Sequence, residues 1–448
     1  MARRAGRALM AGTLGRKERW VATGSLAALG AGLVVGEALF RNGLSGTGWA
    51  FSVAGDLMLV RPLMMLVLPL IFTSVMAGIT SLGDPSRLGR LGLATFTYFL
   101  ATMLVAAALG ASLVTLVGPG LGLASEDVSA LKQSGVERFE AAPRLAQAAA
   151  AGEEGLAYAW LKIARDMLPA NPFSAMAEGQ PLGMITFALV LAVAIALGGA
   201  ATEAAGRVFA ALNEALLRAV GWVMWIVPVG AFLLVSASVG RVGLAQLLGP
   251  LGMYMAVVIG GLAIHMFVIL PAFQLVLGGG NPFRFMWSMR EALATAFATA
   301  SSSATLPVTI RVCETEGGCS QRATRFCAPL GSTLNMDGTA LYEAVAVVFL
   351  FQLYGVQLSL GELAVVVATA TLAAVGAAGL PSAGLVPMVI VSTAVIASLG
   401  SEKVPVGAMG IVIGVDRLLD MCRTTVNVWG DMGAARVMTR LAPDGPGS

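Results

Sequence analysis

Asp420-Met421-Cys422-Arg423-Thr424-Thr425-Val426-Asn427-Val428-Trp429-Gly430-Asp431 puts three full charges and an amide into a run otherwise apolar enough for a membrane. On a helix, Asp420, Thr424, Asn427 and Asp431 fall at i, i+4, i+7 and i+11, a single stripe with Arg423 at its edge. A charge near the bilayer centre costs roughly 3 kcal/mol on insertion scales, so such a stripe is expected to face a partner, a cavity or a ligand. The stretch therefore marks a functional site within a helical membrane protein.

Composition agrees with the membrane setting. Of 448 residues, 57% are hydrophobic and 12% charged, about half the charge of a soluble domain. The net charge of +3 argues neither for a nucleic-acid partner nor for a strongly acidic one, and no nucleic-acid partner is expected. Arg3, Arg4, Arg7, Arg16, Lys17 and Arg19 precede the first apolar run, so the N-terminus is expected to be cytoplasmic. That run lacks a small-residue cleavage site and more spans follow, which marks an anchor and not a removed leader. Cys313 and Cys319 are six residues apart among Glu314 and Glu316 with no histidine nearby, and are expected to be reduced thiols in a cytoplasmic loop. The single histidine, His265, is expected to be a packed, hydrogen-bonded residue. The absence of an Asn-x-Ser/Thr sequon and the Ala/Gly/Arg-rich usage suit a bacterial inner membrane.

Apolar runs of spanning length lie at about 20–40, 50–80, 91–118, 181–199, 219–238 and 247–277. Between 120 and 180 the chain turns polar, with Glu126, Asp127, Lys132, Glu137, Arg138, Glu140, Glu153 and Glu154, and reads as a solvated external loop. From 282 onward the pattern changes. Segment 282–313 is interrupted by Ser301-Ser302-Ser303-Ala304-Thr305-Leu306-Pro307, and segment 358–398 by Gly376-Ala377-Ala378-Gly379-Leu380-Pro381-Ser382-Ala383-Gly384. Each half is too short to span, as in re-entrant helical hairpins. Each hairpin precedes a long helix with polar residues inside it: 322–352, broken at Asn335-Met336-Asp337-Gly338-Thr339, and 402–438. Hairpin, polar helix, hairpin, polar helix is an internal repeat of the kind secondary transporters use to build a midplane site.

These four motifs, in this order, resemble the dicarboxylate/amino acid:cation symporters, which include the excitatory amino acid transporters. The resemblance implies an all-α polytopic membrane protein, with eight transmembrane helices plus two re-entrant hairpins, built on an inverted repeat and assembled as a homotrimer. Residues 1–90 would hold a cytoplasmic segment and scaffold helices 1 and 2. Residues 91–119 would form the third helix, 120–240 the external loop and scaffold helices 4 and 5, 241–440 the transport domain, and 441–448 a tail. Both termini would be cytoplasmic, and the transport domain would move like an elevator. The activity implied is symport of L-aspartate or L-glutamate with sodium, protons or both, and no enzyme chemistry or cofactor beyond the coupling ions.

An acidic amino acid offers two carboxylates and an ammonium. Arg423 suits the side-chain carboxylate, because a guanidinium makes charge-assisted bidentate bonds. Asp420 suits the ammonium; the alternative for this pair is a mutual salt bridge at i and i+3. By resemblance, Thr424 also contacts the ammonium, Asn427 and Ser302 in the Ser302-Ser303 tip hold the α-carboxylate, and Thr339 lies near the side-chain carboxylate. Main chain around Leu380 and Gly384 would complete the pocket.

The same resemblance implies three sodium sites. One would use Asp431 with carbonyls of Gly331, Asn335 and Asn427. A second would use carbonyls of Thr333, Ala374, Val375 and Ala377 with the Met336 sulfur, and a third Asp337, Asn335, Tyr98 and Thr102. The chain departs from the pattern at Ala101, where a threonine is common, and at Ala300 and Met421, one of which is usually arginine. Glu343 stands where many prokaryotic relatives carry glutamine; a carboxyl in a poorly solvated site can carry a proton, which makes it the candidate for proton coupling. Carriage of C4-dicarboxylates or neutral amino acids, with an accompanying anion conductance, is the alternative function. An intramembrane aspartyl protease fails, since neither a Tyr-Asp pair nor Gly-x-Gly-Asp occurs.

Overall fold

The computed structural model describes residues 24, 27–80, 85–121, 125–140, 165, 168–177, 181–242, 251–375, 388, 391–392, 395–396 and 404–444. Among these the chain is mostly helical and contains no strand. Four helical stretches are long and apolar enough to cross a membrane: Gly46–Ala77, Gly89–Val117, Gly252–Gly278 and Gln321–Leu353. Gly183–Leu197, Val227–Ala237 and Leu360–Val375 are shorter apolar helices. The four differ in their surroundings. The apolar window of Gln321–Leu353 is 94% buried, against 39% for Gly89–Val117 and for Gly252–Gly278, so it is the inner strut and the other two lie against it.

That inner strut is broken. Gln321–Leu334 ends at Asn335 (φ −113°, ψ 83°), Met336 follows in a non-helical conformation, and a second helix runs Asp337–Leu353. An extended residue pair frees backbone groups that must find partners in a dry interior. The Met336 N–H lies 3.3 Å from the Met103 sulfur, and the Gly338 N–H donates to Asn427 Oδ1 at 2.7 Å.

The first hairpin forms as expected, from Arg290–Thr299 and Ser302–Thr315. Arms of 10 and 14 residues rise only about 15 and 21 Å, short of a bilayer core. Ala300 turns the chain with a left-handed backbone (φ 50°), and the Ser301 hydroxyl caps the second arm by accepting from the Ala304 N–H at 3.1 Å. The hairpin base is tied by Glu291–Arg311 at 2.5 Å. Leu360–Val375 begins the second hairpin region; its interruption, with Ala377, Leu380 and Gly384, lies outside the described residues.

The C-terminal helix Gly410–Met438 crosses the broken strut at backbone contact. A Cβ on Gly338 would stand 2.6 Å from the Arg423 carbonyl oxygen, and one on Gly430 would stand 2.6 Å from Asp337 Oδ2. Only glycine permits that approach. Elsewhere, Arg61–Thr80 and Glu203–Val223 are joined by Asn213 Oδ1, which accepts from the Ser74 hydroxyl at 2.7 Å and from Thr73 at 3.4 Å.

Two expectations need correction. Within the stretch expected as a solvated loop, Ser125–Glu140 is a helix. Its Val128, Leu131, Gly135 and Phe139 recur at helical spacing, and Gly135 lies directly against Gly410 and Ile411. Cys313 and Cys319 are buried and not loop-exposed, Cys313 within the second hairpin arm.

Candidate functional site

Three strands of chain, in the sense of path and not of β-structure, meet where the C-terminal helix crosses the break. From the broken strut, Asn335 is fully buried and donates through Nδ2 to Asp431 Oδ1 at 3.0 Å. From the Pro85–Val117 helix, the Thr102 hydroxyl reaches Asn335 Oδ1 at 3.4 Å. Gly331 packs against the Asp431 carboxylate, whose oxygen occupies the space a Cβ would need. The structure thus brings Asp431, Gly331 and Asn335, expected at one cation site, beside Thr102, expected with Asn335 at another.

Asp337, one turn further, is fully buried, and neither of its carboxylate oxygens makes a hydrogen bond among the described residues. Its Oδ2 lies 3.4 Å from His265 Nε2, too long for a good hydrogen bond. His265 therefore differs from expectation: it is buried but faces a carboxylate, with both ring nitrogens lacking a hydrogen bond. The Tyr98 hydroxyl is likewise buried without a hydrogen-bond partner among the described residues. Buried polar atoms are normally satisfied, and a cluster of oxygens that are not has the chemistry of a cation site.

Asn427 bridges the two helices. Its oxygen accepts from the Gly338 N–H, while Nδ2 lies 3.2 Å from the Met336 sulfur and 3.3 Å from the Thr339 hydroxyl. Thr333 bonds back to the Leu330 carbonyl at 3.1 Å, and Ala374 and Val375 end the Leu360–Val375 helix in buried positions.

One turn up the C-terminal helix, Arg423 is 1% exposed. Its Nη2 donates to Asp420 Oδ1 at 2.6 Å and lies 3.2 Å from Asp416 Oδ1. Its guanidinium carbon sits 4.0 Å from the centroid of the Tyr342 ring. Nε and Nη1 have no hydrogen-bond partner among the described residues, so part of the guanidinium fork remains open for an acceptor. The i, i+3 salt bridge does form, but Asp416 and Tyr342 share the arginine. Glu343, next to Tyr342, is fully buried, and neither oxygen is hydrogen-bonded among the described residues.

The hairpin tip reaches this region. Ala298 and Ala300 share one buried apolar cluster with Met421 of the C-terminal helix. Ser302 and Ser303 are buried just beyond, Ser303 with its hydroxyl unpartnered. Ala300 and Met421, where an additional arginine was expected, thus belong to one apolar cluster.

The residues missed by sequence reasoning are Asp416, Tyr342 and the His265–Asp337 approach. Asp416 had a signal, since it stands four residues before Asp420 and seven before Arg423 on the same stripe. His265 had none, because its pairing is tertiary.

Residues 21–441 match the profile of the sodium:dicarboxylate symporter family. The chain belongs to that family. Mouse excitatory amino acid transporter 3 is 34% identical over 459 residues, covering 95% of this chain and 86% of the mouse protein. Human neutral amino acid transporter A is 36% identical over 466 residues, covering 96% of this chain and 83% of the human one. This member of the sodium:dicarboxylate symporter family is therefore a multi-pass membrane transporter of the sodium-coupled amino acid carriers, and not an enzyme.

Proposed function

We propose that the chain is a secondary active symporter of acidic amino acids, L-aspartate or L-glutamate, driven by sodium, protons or both. The observation that carries this reading is Arg423, buried, adjoining Asp420, with part of its fork open. The guanidinium receives the side-chain carboxylate and Asp420 the ammonium, so binding exchanges an internal pair for two substrate pairs. Thr424 assists at the ammonium, Asn427 with Ser302 and Ser303 at the α-carboxylate, Thr339 near the side chain, and Leu380 and Gly384 close the pocket.

Sodium binds in three places. Asp431 holds one with the carbonyls of Gly331, Asn335 and Asn427. The carbonyls of Thr333, Ala374, Val375 and Ala377, with Met336, hold another; Asp337, Asn335, Tyr98 and Thr102 hold the third. Supporting the last is the buried, unsatisfied state of Asp337 and the Tyr98 hydroxyl. Glu343 carries a proton, a role supported by its burial without a hydrogen-bond partner. Eight transmembrane helices and two hairpins work as a homotrimer, with both termini in the cytoplasm of a bacterial inner membrane. The 241–440 segment and the third helix move as an elevator against the 1–90 and 120–240 scaffold.

A second reading, carriage of neutral amino acids, is favoured by the apolar Ala300–Met421 contact and by the second carboxylate, Asp416, on Arg423. Both lower the positive potential available to an acidic side chain.

Uptake into proteoliposomes, with sodium, proton and potassium gradients imposed one at a time, tests the reading. Concentrative uptake of L-aspartate or L-glutamate under a sodium or proton gradient is expected, and alanine or serine accumulating in their place would overturn it. In Glu343→Gln, the response to an imposed pH gradient should vanish; an undiminished response removes Glu343 from its role.

A further inference from the structure

Behind the substrate site, on the other face of the C-terminal helix, lies a cleft of about 390 Å³. That is within the range of roughly 300–1,000 Å³ typical of small-molecule pockets. Its walls come from several elements: Leu29 of the 27–41 helix, Met266 and Phe267 of the Gly252–Gly278 helix, and Phe297 of the first hairpin arm. Thr425, beside Thr424, lies at the back. The lining is apolar except for Thr425, whose hydroxyl is already spent on the Met421 carbonyl, and Arg290.

Arg290 has a distinct setting. Its Nη1 donates to the Trp287 carbonyl at 2.7 Å and its guanidinium carbon sits 5.4 Å from the Trp287 ring centroid. Among the described residues no carboxylate pairs with it. The short helix Pro282–Ser288 just before it exposes Phe283, Arg284 and Trp287. Exposed aromatics with an arginine on one short helix, and a second arginine just after it, suit the headgroup level of a bilayer, where rings lie among the glycerol esters and cations meet phosphates. An un-neutralised guanidinium at that level, opening onto an apolar cleft, matches one kind of amphiphile.

We propose that this cleft is a binding site for one anionic phospholipid, whose acyl chain fills the cavity and whose phosphodiester is held by Arg290. The negative headgroup is selected because no carboxylate among the described residues pairs with the guanidinium, and a zwitterionic headgroup brings its own ammonium to the same place. The occupant touches the 27–41 helix on one side and the hairpin arm on the other. Its presence therefore couples lipid composition to any movement between those elements.

The test uses the full-length protein in detergent, titrated with phosphatidylglycerol and phosphatidylcholine of identical chains and followed by native mass spectrometry. The expected result is one retained phosphatidylglycerol with a preference of about five-fold over phosphatidylcholine, the size of one basic side chain near an anionic surface. Arg290→Gln should bring the preference close to unity and Arg290→Lys should restore most of it. In proteoliposomes, the uptake rate of the wild type should vary with the phosphatidylglycerol fraction, and that of Arg290→Gln should not. Met286→Trp, which fills the cleft and keeps the arginine, should lose the lipid.

Equal retention of both lipids by the wild type would overturn the proposal, as would a preference unchanged in Arg290→Gln or a lipid still bound in Met286→Trp. Displacement by millimolar inorganic phosphate would mark a bare anion site instead, and no retained lipid would mean that another part of the chain covers the cleft.

Discussion

The charges around the hairpin base and those of the helix crossing are treated in opposite ways. At the base, Arg325 forks onto Glu314 at 2.8 and 3.0 Å and also reaches Glu214 at 2.8 Å, and Glu291 pairs with Arg311. At the crossing, among the described residues, Asp337 and Glu343 have no hydrogen bond and Arg423 keeps two unpartnered nitrogens, although all three are buried. At the base each of these arginines has a carboxylate beside it, whereas at the crossing, among the described residues, Glu343 has none of the hydrogen bonds that would satisfy it. Paired charges hold a shape; unsatisfied ones at a crossing of broken helices are what the proposed binding of mobile ions requires.

The comparison breaks first at Arg423. Arg423→Ala should lower uptake of acidic amino acids by about thirty-fold or more, since truncating one member of a buried charge pair costs about 2–5 kcal/mol. Radiolabelled aspartate and glutamate uptake measures it. Uptake within ten-fold of wild type would place Arg423 with the structural charges of the base.

The next largest effect is expected at Gly430. A methyl group there would meet Asp337 Oδ2 and Asn335 Nδ2 at 2.6 and 2.7 Å, so the helix must back away and the oxygen cluster must open. Gly430→Ala should raise the sodium concentration for half-maximal uptake by tens of fold, on the order of 2 kcal/mol, in line with overpacking a tight interior. An unchanged sodium dependence would mean that these oxygens do not hold a cation together.

Arg325 is the control from the base. Arg325→Met leaves Glu314 buried without its partner, at a cost near or below the lower end of about 3–5 kcal/mol, because Glu214 is half exposed and can turn to water. Replacing Glu314 by methionine as well should return most of that stability, since an apolar pair of similar shape is often neutral. Thermal unfolding in detergent reads both, and apparent substrate affinity should stay within two-fold. A large affinity change would tie the base to the site and erase the distinction.

How much of this was legible in the chain depended on whether the signal was local. The Asp420–Thr424–Asn427–Asp431 stripe and the break at Asn335–Met336 could be read because helical periodicity and its interruption are properties of adjacent residues. The first hairpin was legible from serines followed by a proline. Ser125–Glu140 was not, because its many charges masked the Val128–Leu131–Gly135–Phe139 stripe. The approach of His265 to Asp337 and the meeting of Ala300 with Met421 are tertiary, and no local pattern encodes them. The second hairpin tip, with Leu380 and Gly384, lies outside the described residues.

The smallest expected effect lies at the tip that joins the two regions. Ala300 is the only described non-glycine residue with a positive φ, a conformation that costs an L-residue about 1–2 kcal/mol. Its side chain is buried against Ala298 and Met421, so packing holds it there. Ala300→Gly removes the local strain, loses a methyl contact of similar size, and gives the unfolded chain more freedom, terms that nearly cancel. Uptake should change by no more than about two-fold and thermal stability by about 1 kcal/mol or less. A much faster carrier would mean that strain at the tip limits its opening. The hairpin would then belong with the unsatisfied crossing, as a part held ready to move, and its saturated base would be the fixed end against which it turns.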